Sequence, residues 1–378
     1  MIKRSPCAFR AILFLLMSVM LVQCQSTSRT PTLEPIIAQE QPATRGNDVE
    51  VVAFLSDYLD DLAENHNFNG VVLFARDENV LFHRAYGLAS RSYAARNTTD
   101  TRFNLASASK MFTAVAIAKL VEEGRLSYDD PIGLYLDTDW VSQDVGYKVQ
   151  VGHLLNHTSG LGHYWDKWDY YANTIRDLED YKLIISDELA FEPGTDYQYS
   201  NTGYLLLGVI IEEVTDKSYY EYIQEVIFDP CGMADTGFFE MDTPYPDLAT
   251  GYFEDKEDGG RLKTNTPFLG IRGGPAGGAW STAADMLRFI LALRSDILVN
   301  AETREILWTS KPMSPKYGYG FQTQDNWVGH WGGFEGFEAF VFYFPESGHT
   351  FITFSNYWDS ALPLIDRMDG WFQELDRE

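Results

Sequence analysis

Apolar residues recur along the chain with two different periods, and the order of these periods predicts the fold. Across residues 48–65 they return every three or four positions, which is typical of an amphipathic helix. Across residues 68–76 and 80–86 they alternate around the turn Asp77-Glu-Asn, which predicts a β-hairpin. The patterned part of the chain therefore begins with a helix that leads into two antiparallel strands.

Helical periods dominate the middle of the chain, and strand patterns return towards its end. The helical period begins near Ser107 and stops at Gly124, and it recurs in shorter segments at 151–156, 178–185, 203–214, 219–228 and 281–293. Aromatic and β-branched runs between turn residues predict strands at 318–324, 338–344 and 350–356. A helical pattern closes the chain at 362–375.

Strand patterns at both ends of the chain, with helices between them, favour an α+β fold. The two ends would pair into one mainly antiparallel sheet flanked by helices. Residues at about 130–278 would form an inserted, mostly helical domain. A cleft between these parts is the natural place for a functional site.

The composition of the chain excludes several classes of function. Its 378 residues, 45% of them hydrophobic, suffice for one large domain or for a core domain with a sizeable insertion. The 55 acidic and 29 basic residues give a formal net charge of −26. Because such a chain has no surplus of cations to neutralise phosphates, we expect no nucleic-acid partner.

The first residues have the pattern of an export signal. Basic residues, among them Lys3 and Arg4, precede an apolar run at 11–22, which is too short to span a membrane and has the length of a signal-peptide core. We therefore predict a signal peptide at residues 1–23. The polar segment at 24–47, rich in Ser, Thr, Pro and Gln, is predicted to be a flexible tether.

The end of the predicted signal resembles a bacterial lipobox. In Leu21-Val-Gln-Cys24 the cysteine would be lipidated after cleavage, although Gln23 stands where a small residue is usual. We predict a lipid anchor at Cys24, with ordinary secretion as the alternative. Either way the protein would be exported to the periplasm or the cell surface, with its folded domain at residues 48–376.

A serine and a lysine stand three residues apart where the helical period near residue 107 begins. Three residues make almost one helical turn, so the Ser107 hydroxyl and the Lys110 amine would lie on one face. A lysine buried on that apolar face would lose hydration, which lowers its pKa and makes it a better base. The serine would also lie at the positive end of the helix dipole. Taken alone, Ser-x-x-Lys arises by chance in many helices.

A second polar group stands in a turn just before an apolar helix. A Pro-Gly turn leads into Tyr199-Ser-Asn201, and alternation in this loop would point Tyr199 and Asn201 the same way. A phenol beside an ammonium would have a lowered pKa and could pass protons. The Asn201 amide could donate to a substrate carbonyl and also hold a lysine. Taken alone, both could be ordinary turn residues.

A third stretch is dense in glycine and lies beside a predicted strand. In His330-Trp331-Gly332-Gly333 the glycines would let a substrate approach the backbone closely. The N–H groups of this stretch could complete an oxyanion hole, in which one donor contributes on the order of 10²–10³ in rate.

The three stretches together resemble a known family. They are similar to the three boxes of the class C β-lactamase-like serine hydrolases, a group that includes D-alanyl-D-alanine carboxypeptidases, D-aminopeptidases and related esterases. The resemblance covers roughly residues 50–375, with the boxes in the expected order. The matching stretches are Ser107-Ala-Ser-Lys110, Tyr199-Ser-Asn201 and His330-Trp-Gly332.

The resemblance implies a role for each of these residues. Ser107 would be the acylated nucleophile, and Lys110 and Tyr199 would activate it and shuttle its proton. Asn201 would orient the substrate amide. The backbone N–H groups of Ser107 and Gly333 would form the oxyanion hole. The resemblance implies neither a cofactor nor a metal.

The third box departs from that of β-lactamases, which have Lys-Thr-Gly or Lys-Ser-Gly there to meet a substrate carboxylate. Here His330, only partly charged near neutrality, and Trp331, without a hydroxyl, occupy those places as substrate-binding residues with Gly332 and Gly333. We therefore predict a serine peptidase or esterase, acting on D-amino-acid amides, esters or peptidoglycan-like peptides. The alternatives are a β-lactamase and a non-catalytic lipoprotein that binds peptidoglycan at the cell surface.

Two further patterns leave alternatives open. His153 and His157 have a spacing that can hold zinc, but Leu154 stands where a metalloprotease has glutamate, so we predict no metal site. His157 would instead brace the turn at 158–160 through hydrogen bonds. An aromatic cluster follows, which would either rim the cleft or cover an edge of the core: Tyr164, Trp165, Trp168, Tyr170 and Tyr171.

Overall fold

A computed structural model describes residues 46–65 and 68–374 of the chain. The predicted signal peptide, the predicted anchor at Cys24 and nearly all of the predicted tether lie outside the described residues. Within the described ranges, no helix is both long enough and apolar enough to cross a membrane.

Seven predicted helices, near 48–65, 107–124, 151–156, 203–214, 219–228, 281–293 and 362–375, are present with ends that differ by a few residues. The predicted helix at 178–185 is a 3₁₀ segment, and the helices at 143–148, 168–171, 229–231 and 301–308 were not predicted. The helices are α1 (Gly46–Glu64), α2 (Lys110–Glu122), α3 (Gln143–Lys148), α4 (Val151–Leu155), α5 (Trp168–Tyr171), α6 (Asn201–Thr215), α7 (Tyr219–Ile223), α8 (Asp229–Cys231), α9 (Ala283–Arg294), α10 (Ala301–Trp308) and α11 (Leu362–Glu374). Shorter 3₁₀ segments stand at Ala106–Ser109, Ile132–Leu134, Trp165–Lys167, Ala172–Thr174 and Leu178–Leu183, and a π-helical turn at Gln224–Phe228.

Strands lie at both ends of the chain, as the alternating patterns predict, and further short strands that were not predicted lie between residues 88 and 281. The strands are β1 (Gly70–Arg76), β2 (Asn79–Tyr86), β3 (Leu88–Ser90), β4 (Ala95–Arg96), β5 (Phe103–Asn104), β6 (Tyr252–Asp255), β7 (Arg261–Thr264), β8 (Trp280–Ser281), β9 (Gln322–Thr323), β10 (Val328–Phe334), β11 (Phe337–Phe344) and β12 (His349–Ser355).

The main sheet has six strands in the order β2-β1-β12-β11-β10-β9. Every neighbouring pair is antiparallel, and β1 from the start of the chain lies beside β12 from its end, with Val72 opposite Thr353. The predicted α+β fold, a mainly antiparallel sheet formed by both ends of the chain and flanked by helices, is therefore confirmed.

Strand alternation divides the core into two layers, one on each face of this sheet. Val71 and Leu73 of β1 face a large core that includes α2, α6 and α9. Val72 and Phe74 face a smaller core formed with α1 and α11. The two terminal helices thus cover one face of the sheet, and the helices from the rest of the chain cover the other.

Helix α2 lies at the centre of the larger core. Its residues from Lys110 to Ala118 are all buried, and the chain turns away at Gly124, whose φ of +67° is strained for other residues. A helix that is apolar on every side is buried on every side, so the single apolar face inferred from periodicity understates how far α2 is enclosed.

The middle of the chain, residues 130–278, contains helices α3–α8 and the hairpin of β6 and β7. Leu154 and Tyr204 from this part belong to the same core as α2. The boundaries of the predicted insertion stay a prediction.

One strand was placed wrongly from the sequence. The predicted strand at 318–324 is a strand only over β9, and the glycine-rich stretch that was expected to lie beside a strand is itself strand β10. Glycine has a low strand propensity, so the pattern there did not indicate β-structure. Pairing with β9 and β11 holds β10 in the sheet in spite of its composition.

Candidate active site

Ser107 lies in a tight turn next to the start of α2. It belongs to the 3₁₀ segment Ala106–Ser109, and its partly exposed side chain lines a cavity. Ala106 has a φ of +43°, and its N–H donates to the side-chain oxygen of Asn104 at 2.9 Å. A Cβ on Gly277 would lie 2.9 Å from the Ala106 carbonyl oxygen, so this glycine lets a second loop pack on the turn.

Lys110 begins helix α2, and its side chain is fully buried beside Ser107. Its Nζ lies 3.3 Å from Ser107 Oγ and 2.7 Å from Asn201 Oδ1. It also donates a hydrogen bond to the carbonyl oxygen of Ala276. Burial lowers the pKa of Lys110 well below its ordinary value, in the direction that the sequence predicts.

Tyr199 covers Lys110 with the face of its ring, whose centroid is 4.9 Å from Nζ. Its hydroxyl is buried and makes no hydrogen bond of standard geometry to a described residue. Burial raises the pKa of Tyr199, and the nearby Ser107 hydroxyl offsets only part of the rise. The expectation of a lowered pKa is wrong, because the buried phenol loses the solvation of its anion, and this loss outweighs the hydrogen bonding that favours the phenolate.

Asn201 is the first residue of α6, and the turn before it directs its side chain to Lys110. Ser200 caps the helix, with Oγ accepting from the N–H of Gly203 at 2.9 Å and donating to the Gly162 carbonyl at 2.8 Å. Asn201 stands 91 residues after Lys110, yet both side chains are buried in one cluster. The structure thus brings the first two predicted boxes together.

Strand β10 passes directly over the Ser107 turn. A Cβ on Gly332 would lie 2.1 Å from the Leu105 carbonyl oxygen and 2.8 Å from Ser107 N, so only glycine permits this approach. Gly333 lines the same cavity as Ser107, and the N–H of Ser107 makes no hydrogen bond to a described residue. The two backbone positions predicted to form an oxyanion hole therefore share one cavity.

Trp331 is the predicted site residue that the structure does not bring to Ser107. Val328 belongs to the core that contains α2, so alternation places the even-numbered residues of β10 on that face. Trp331 pairs with Phe340, and their rings stack at 6.2 Å on the opposite face, where Phe340 belongs to the layer of α1 and α11 and Trp331 is 47% exposed. This placement contradicts a substrate contact by the Trp331 side chain in the cavity beside Ser107.

His330 faces the site but is buried and uncharged. Its Nδ1 lies 2.6 Å from the Trp331 carbonyl oxygen and donates to it, so Nε2 accepts from the Tyr317 hydroxyl at 2.9 Å. Burial, together with the charge of Lys110, lowers the pKa of His330 to about 3. The partial charge expected from the sequence is therefore absent at neutral pH, and the third box offers a substrate no cation.

His157 braces the Tyr199 loop rather than its own turn. The N–H of Ser200 donates to His157 Nδ1 at 3.1 Å, and the His157 ring lies 4.2 Å from the ring of Tyr199. Burial lowers the pKa of His157 well below its usual range, so the ring is neutral. The histidine was noticed in the sequence, but its contact with Tyr199 was not.

A cavity opens beside Ser107, and seven of its nineteen described lining residues are aromatic. The aromatic cluster was predicted either to rim the cleft or to cover an edge of the core. Three of its residues line the cavity: Tyr164, Trp165 and Trp168. Tyr170 and Tyr171 do not line it, and Tyr170 is 84% exposed. Such a wall suits an apolar or aromatic substrate group.

Comparison with known proteins agrees with this geometry. The family model described as Beta-lactamase matches residues 55–369. The chain belongs to the Beta-lactamase family. It is 32% identical over 329 residues to penicillin-binding protein 4* of Bacillus subtilis, a match that covers 80% of this chain and 71% of that protein. The family resemblance drawn from the three boxes is thereby confirmed.

Solved structures of other proteins have the same fold. A penicillin-binding protein from Bacillus halodurans matches with a TM-score of 0.73 and 31% identity, covering 82% of this chain and 98% of that one. The D-amino acid amidase from Ochrobactrum anthropi, complexed with D-phenylalanine, matches with a TM-score of 0.67 over 85% of this chain and 99% of that one. Its identity of 22% shows a shared fold only.

Two groups at this site were not predicted from the sequence. The Ala276 carbonyl accepts a hydrogen bond from Lys110, and the Tyr317 hydroxyl donates to His330. The glycine-rich stretch at 273–278 could have indicated the Ala276 contact, because glycines permit close backbone packing. Nothing in the local sequence marks Tyr317, since its contact depends on how β9 and β10 fold together.

Proposed function

We propose that the protein is an exported serine hydrolase that forms an acyl-enzyme on amide or ester bonds, with D-amino-acid amides, esters or peptides as substrates. The observation that supports it most is the fully buried Lys110 amine, 3.3 Å from the partly exposed Ser107 hydroxyl. No carboxylate among the described residues pairs with this amine. A buried lysine without such a partner costs stability, which is typical of a group retained for chemistry.

The hydrogen bonds of Lys110 suit a general base. A neutral amine has two N–H groups and one lone pair. The two carbonyl acceptors, Asn201 Oδ1 and Ala276 O, take the two N–H groups, which leaves the lone pair for the proton of Ser107. Proton transfer to Nζ then frees Ser107 Oγ to attack the substrate carbonyl.

Tyr199 complements this base as a proton donor. Because burial raises its pKa, its hydroxyl stays protonated at neutral pH. It therefore donates to the leaving group and recovers a proton from Lys110, rather than acting as a phenolate base. Water then attacks the acyl-enzyme, with Lys110 again accepting the proton.

The negative charge of the tetrahedral intermediate would be met by backbone donors. The N–H groups of Ser107 and Gly333 are brought to one cavity by the contact of Gly332 with the Ser107 turn. Donors fixed in place before the reaction stabilise the oxyanion without reorganisation at the moment of attack.

The third box favours peptidase or esterase activity over β-lactamase activity. The neutral His330 and the outward-facing Trp331 provide no cation for a β-lactam carboxylate. The His-x-Gly form of this box resembles that of D-aminopeptidases and several esterases of the family. β-Lactam acylation is the second candidate, since a relative with 32% identity is named as a penicillin-binding protein.

A substrate panel tests the proposal. Short-chain p-nitrophenyl esters, D-amino-acid amides, D-Ala-D-Ala peptides and a chromogenic cephalosporin are incubated with wild type and Ser107→Ala. We expect turnover of at least one ester or D-amino-acid amide, its loss in Ser107→Ala, and slower turnover of the cephalosporin. Cephalosporin turnover at the rate of the best ester would promote the β-lactamase alternative.

A serine-reactive fluorophosphonate separates an enzyme from a non-catalytic binding lipoprotein. We expect labelling of wild type and none of Ser107→Ala, because only an activated serine reacts. Equal labelling of both proteins, or of neither, contradicts the hydrolase proposal.

Export and lipidation at Cys24 belong to the same proposal, and the lipobox-like sequence supports them. Expression of the full chain with radiolabelled palmitate in a bacterial host should label wild type but not Cys24→Ser. Secretion of unlabelled wild type into the medium would favour the ordinary signal peptide instead.

A further inference from the structure

One wall of the cavity beside Ser107 carries a positive charge. Among the described lining residues Arg272 alone is charged, and the others are apolar or neutral. Arg272 immediately precedes the tight turn in which the N–H of Gly274 donates to the Gly277 carbonyl at 2.8 Å. That turn also carries the Ala276 carbonyl that accepts from Lys110, so the backbone of Arg272 is fixed relative to the catalytic groups.

The Arg272 side chain is held in place while its outer N–H groups remain available. Nε donates to the Phe238 carbonyl at 3.0 Å, and the guanidinium carbon lies 3.5 Å from the ring centroid of Tyr220. No described residue accepts a hydrogen bond from the Nη atoms. Since a guanidinium has five N–H donors, this side chain keeps its planar fork for a ligand.

The nearest described carboxylate does not occupy that fork. Glu240 Oε1 lies 3.8 Å from Arg272 Nη1, beyond hydrogen-bonding distance. Glu240 is also shared with Arg176, at 3.5 Å, and Arg176 pairs with Asp242 as well. Partly exposed ion pairs of this kind contribute little, so a better-placed carboxylate can displace Glu240 from Arg272.

We propose that Arg272 binds a carboxylate of the substrate while the aromatic wall of the cavity holds an apolar side chain. This inference rests on the proposed function and narrows its substrate class to amino-acid or peptide derivatives with a free carboxylate. A guanidinium and a carboxylate can form two parallel hydrogen bonds, which fixes orientation as well as charge. Arg272 would thus supply the cation for a substrate carboxylate that the neutral His330 does not provide.

Two parts of a substrate can supply this carboxylate. It is either the terminal carboxylate of an amino-acid leaving group, as in a carboxypeptidase, or a carboxylate on the acyl group. Both have the same chemistry at Arg272, and matched substrate pairs distinguish them.

A binding experiment tests the inference without turnover. In the Ser107→Ala background, calorimetry gives the dissociation constants of N-acetyl-D-phenylalanine and of its carboxamide, which differ only in charge. We expect the acid to bind more tightly, and Arg272→Gln to reduce the acid-to-amide preference by at least about tenfold. Arg272→Lys should restore part of it, because the charge remains without the fork.

Arg176→Gln is the matched control, since Arg176 also pairs with Glu240 but does not line the cavity. We expect it to leave the acid-to-amide preference unchanged. The inference is overturned if Arg272→Gln leaves the acid-to-amide preference of the Ser107→Ala protein unchanged. It is also overturned if Arg176→Gln reduces this preference as much as Arg272→Gln does. Because the preference is a ratio within one variant, a general loss of folded protein does not mimic the effect.

Kinetics then locate the carboxylate. A D-Ala-D-Phe acid and its amide differ in the leaving group, whereas succinyl and butyryl p-nitrophenyl esters differ in the acyl group. A fall in the acid preference of Arg272→Gln in the first pair assigns the carboxylate to the leaving group, and a fall in the second assigns it to the acyl group. No fall in either pair overturns the inference, whereas full activity of Ser107→Ala overturns the proposed hydrolase mechanism and leaves the binding result to decide Arg272.

Discussion

Gly332→Ala tests whether the contact between β10 and the Ser107 turn creates the catalytic geometry. The added methyl group would lie 2.1 Å from the Leu105 carbonyl oxygen and 2.8 Å from the nitrogens of Ser107 and Ala108. These are backbone atoms, which no rotamer change can move away. The strand and the turn must therefore separate.

The size of the separation follows from these distances. Cβ atoms in proteins essentially never approach a heavy atom within 3.0 Å, so the gap of 2.1 Å has to widen by about 0.9 Å. A misplacement of about 1 Å can cost roughly 10²-fold in rate. Loss of one oxyanion donor costs about 10²–10³. We therefore expect kcat/KM to fall by about 10²–10³, or roughly 2.7–4 kcal/mol.

The assay is kcat/KM on the best ester or amide of the panel, with melting temperature measured in parallel. Gly333→Ala is the matched control, because it keeps the backbone N–H and its methyl group meets movable ring atoms of Trp331 and Trp358 at 2.9 and 3.2 Å. Its loss should stay below about tenfold. Gly370→Ala, whose added methyl group meets no described atom within 4 Å apart from its chain neighbours and the backbone of its own helix, controls for the substitution itself.

One result refutes this reasoning. If Gly332→Ala keeps kcat/KM within about threefold of wild type at an unchanged melting temperature, the contact does not set the geometry of the site. A loss of activity equal to that of Gly333→Ala would refute it as well, since the two methyl groups point to opposite faces of the sheet.

Three further outcomes are expected. Tyr199→Phe should lower kcat by about 10²–10⁴-fold without lowering the melting temperature. The buried Tyr199 hydroxyl donates a proton in the reaction but forms no hydrogen bond that stabilises the fold. A fall in both kcat and the melting temperature would contradict this role. The unfolded chain binds a proton at His330 below about pH 6.5, whereas the folded chain, in which the His330 pKa is about 3, binds one only near pH 3. The free energy of unfolding therefore falls as pH falls from about 6.5 to 3. Urea unfolding at several pH values should show a smaller fall for His330→Gln than for wild type. Trp331→Leu should change kcat/KM by less than about threefold, since that ring stacks on Phe340 away from Ser107; a tenfold rise in KM would return Trp331 to the site.

Much of the fold was predictable because its signals are local. The helical period of α1, the alternation of β1 and β2 and the apolar run of α6 each reflect burial of one or both sides of an element. The signal failed at β10, where glycines needed for the approach to Ser107 hide the strand. At β10 the close approach to Ser107 requires glycines, which have a low strand propensity. Pairing with β9 and β11 nevertheless keeps this stretch in the sheet.

The sequence by itself determined the chemistry that is available. Spacing within short stretches put Ser107 and Lys110 on one turn and Tyr199 and Asn201 on one loop, and their order matched a family. These features depend only on near neighbours in the chain, whose side-chain directions follow from the local helix or strand period.

Only the tertiary structure decided how that chemistry is tuned. The raised pKa of Tyr199, the neutral state of His330 and the outward position of Trp331 depend on burial and on the register of β10 with β11. The placement of Arg272 in the cavity depends on a loop that packs against the nucleophile turn from far along the chain. Desolvation and long-range packing depend on residues that are far apart in the sequence, so no short stretch of sequence predicts them.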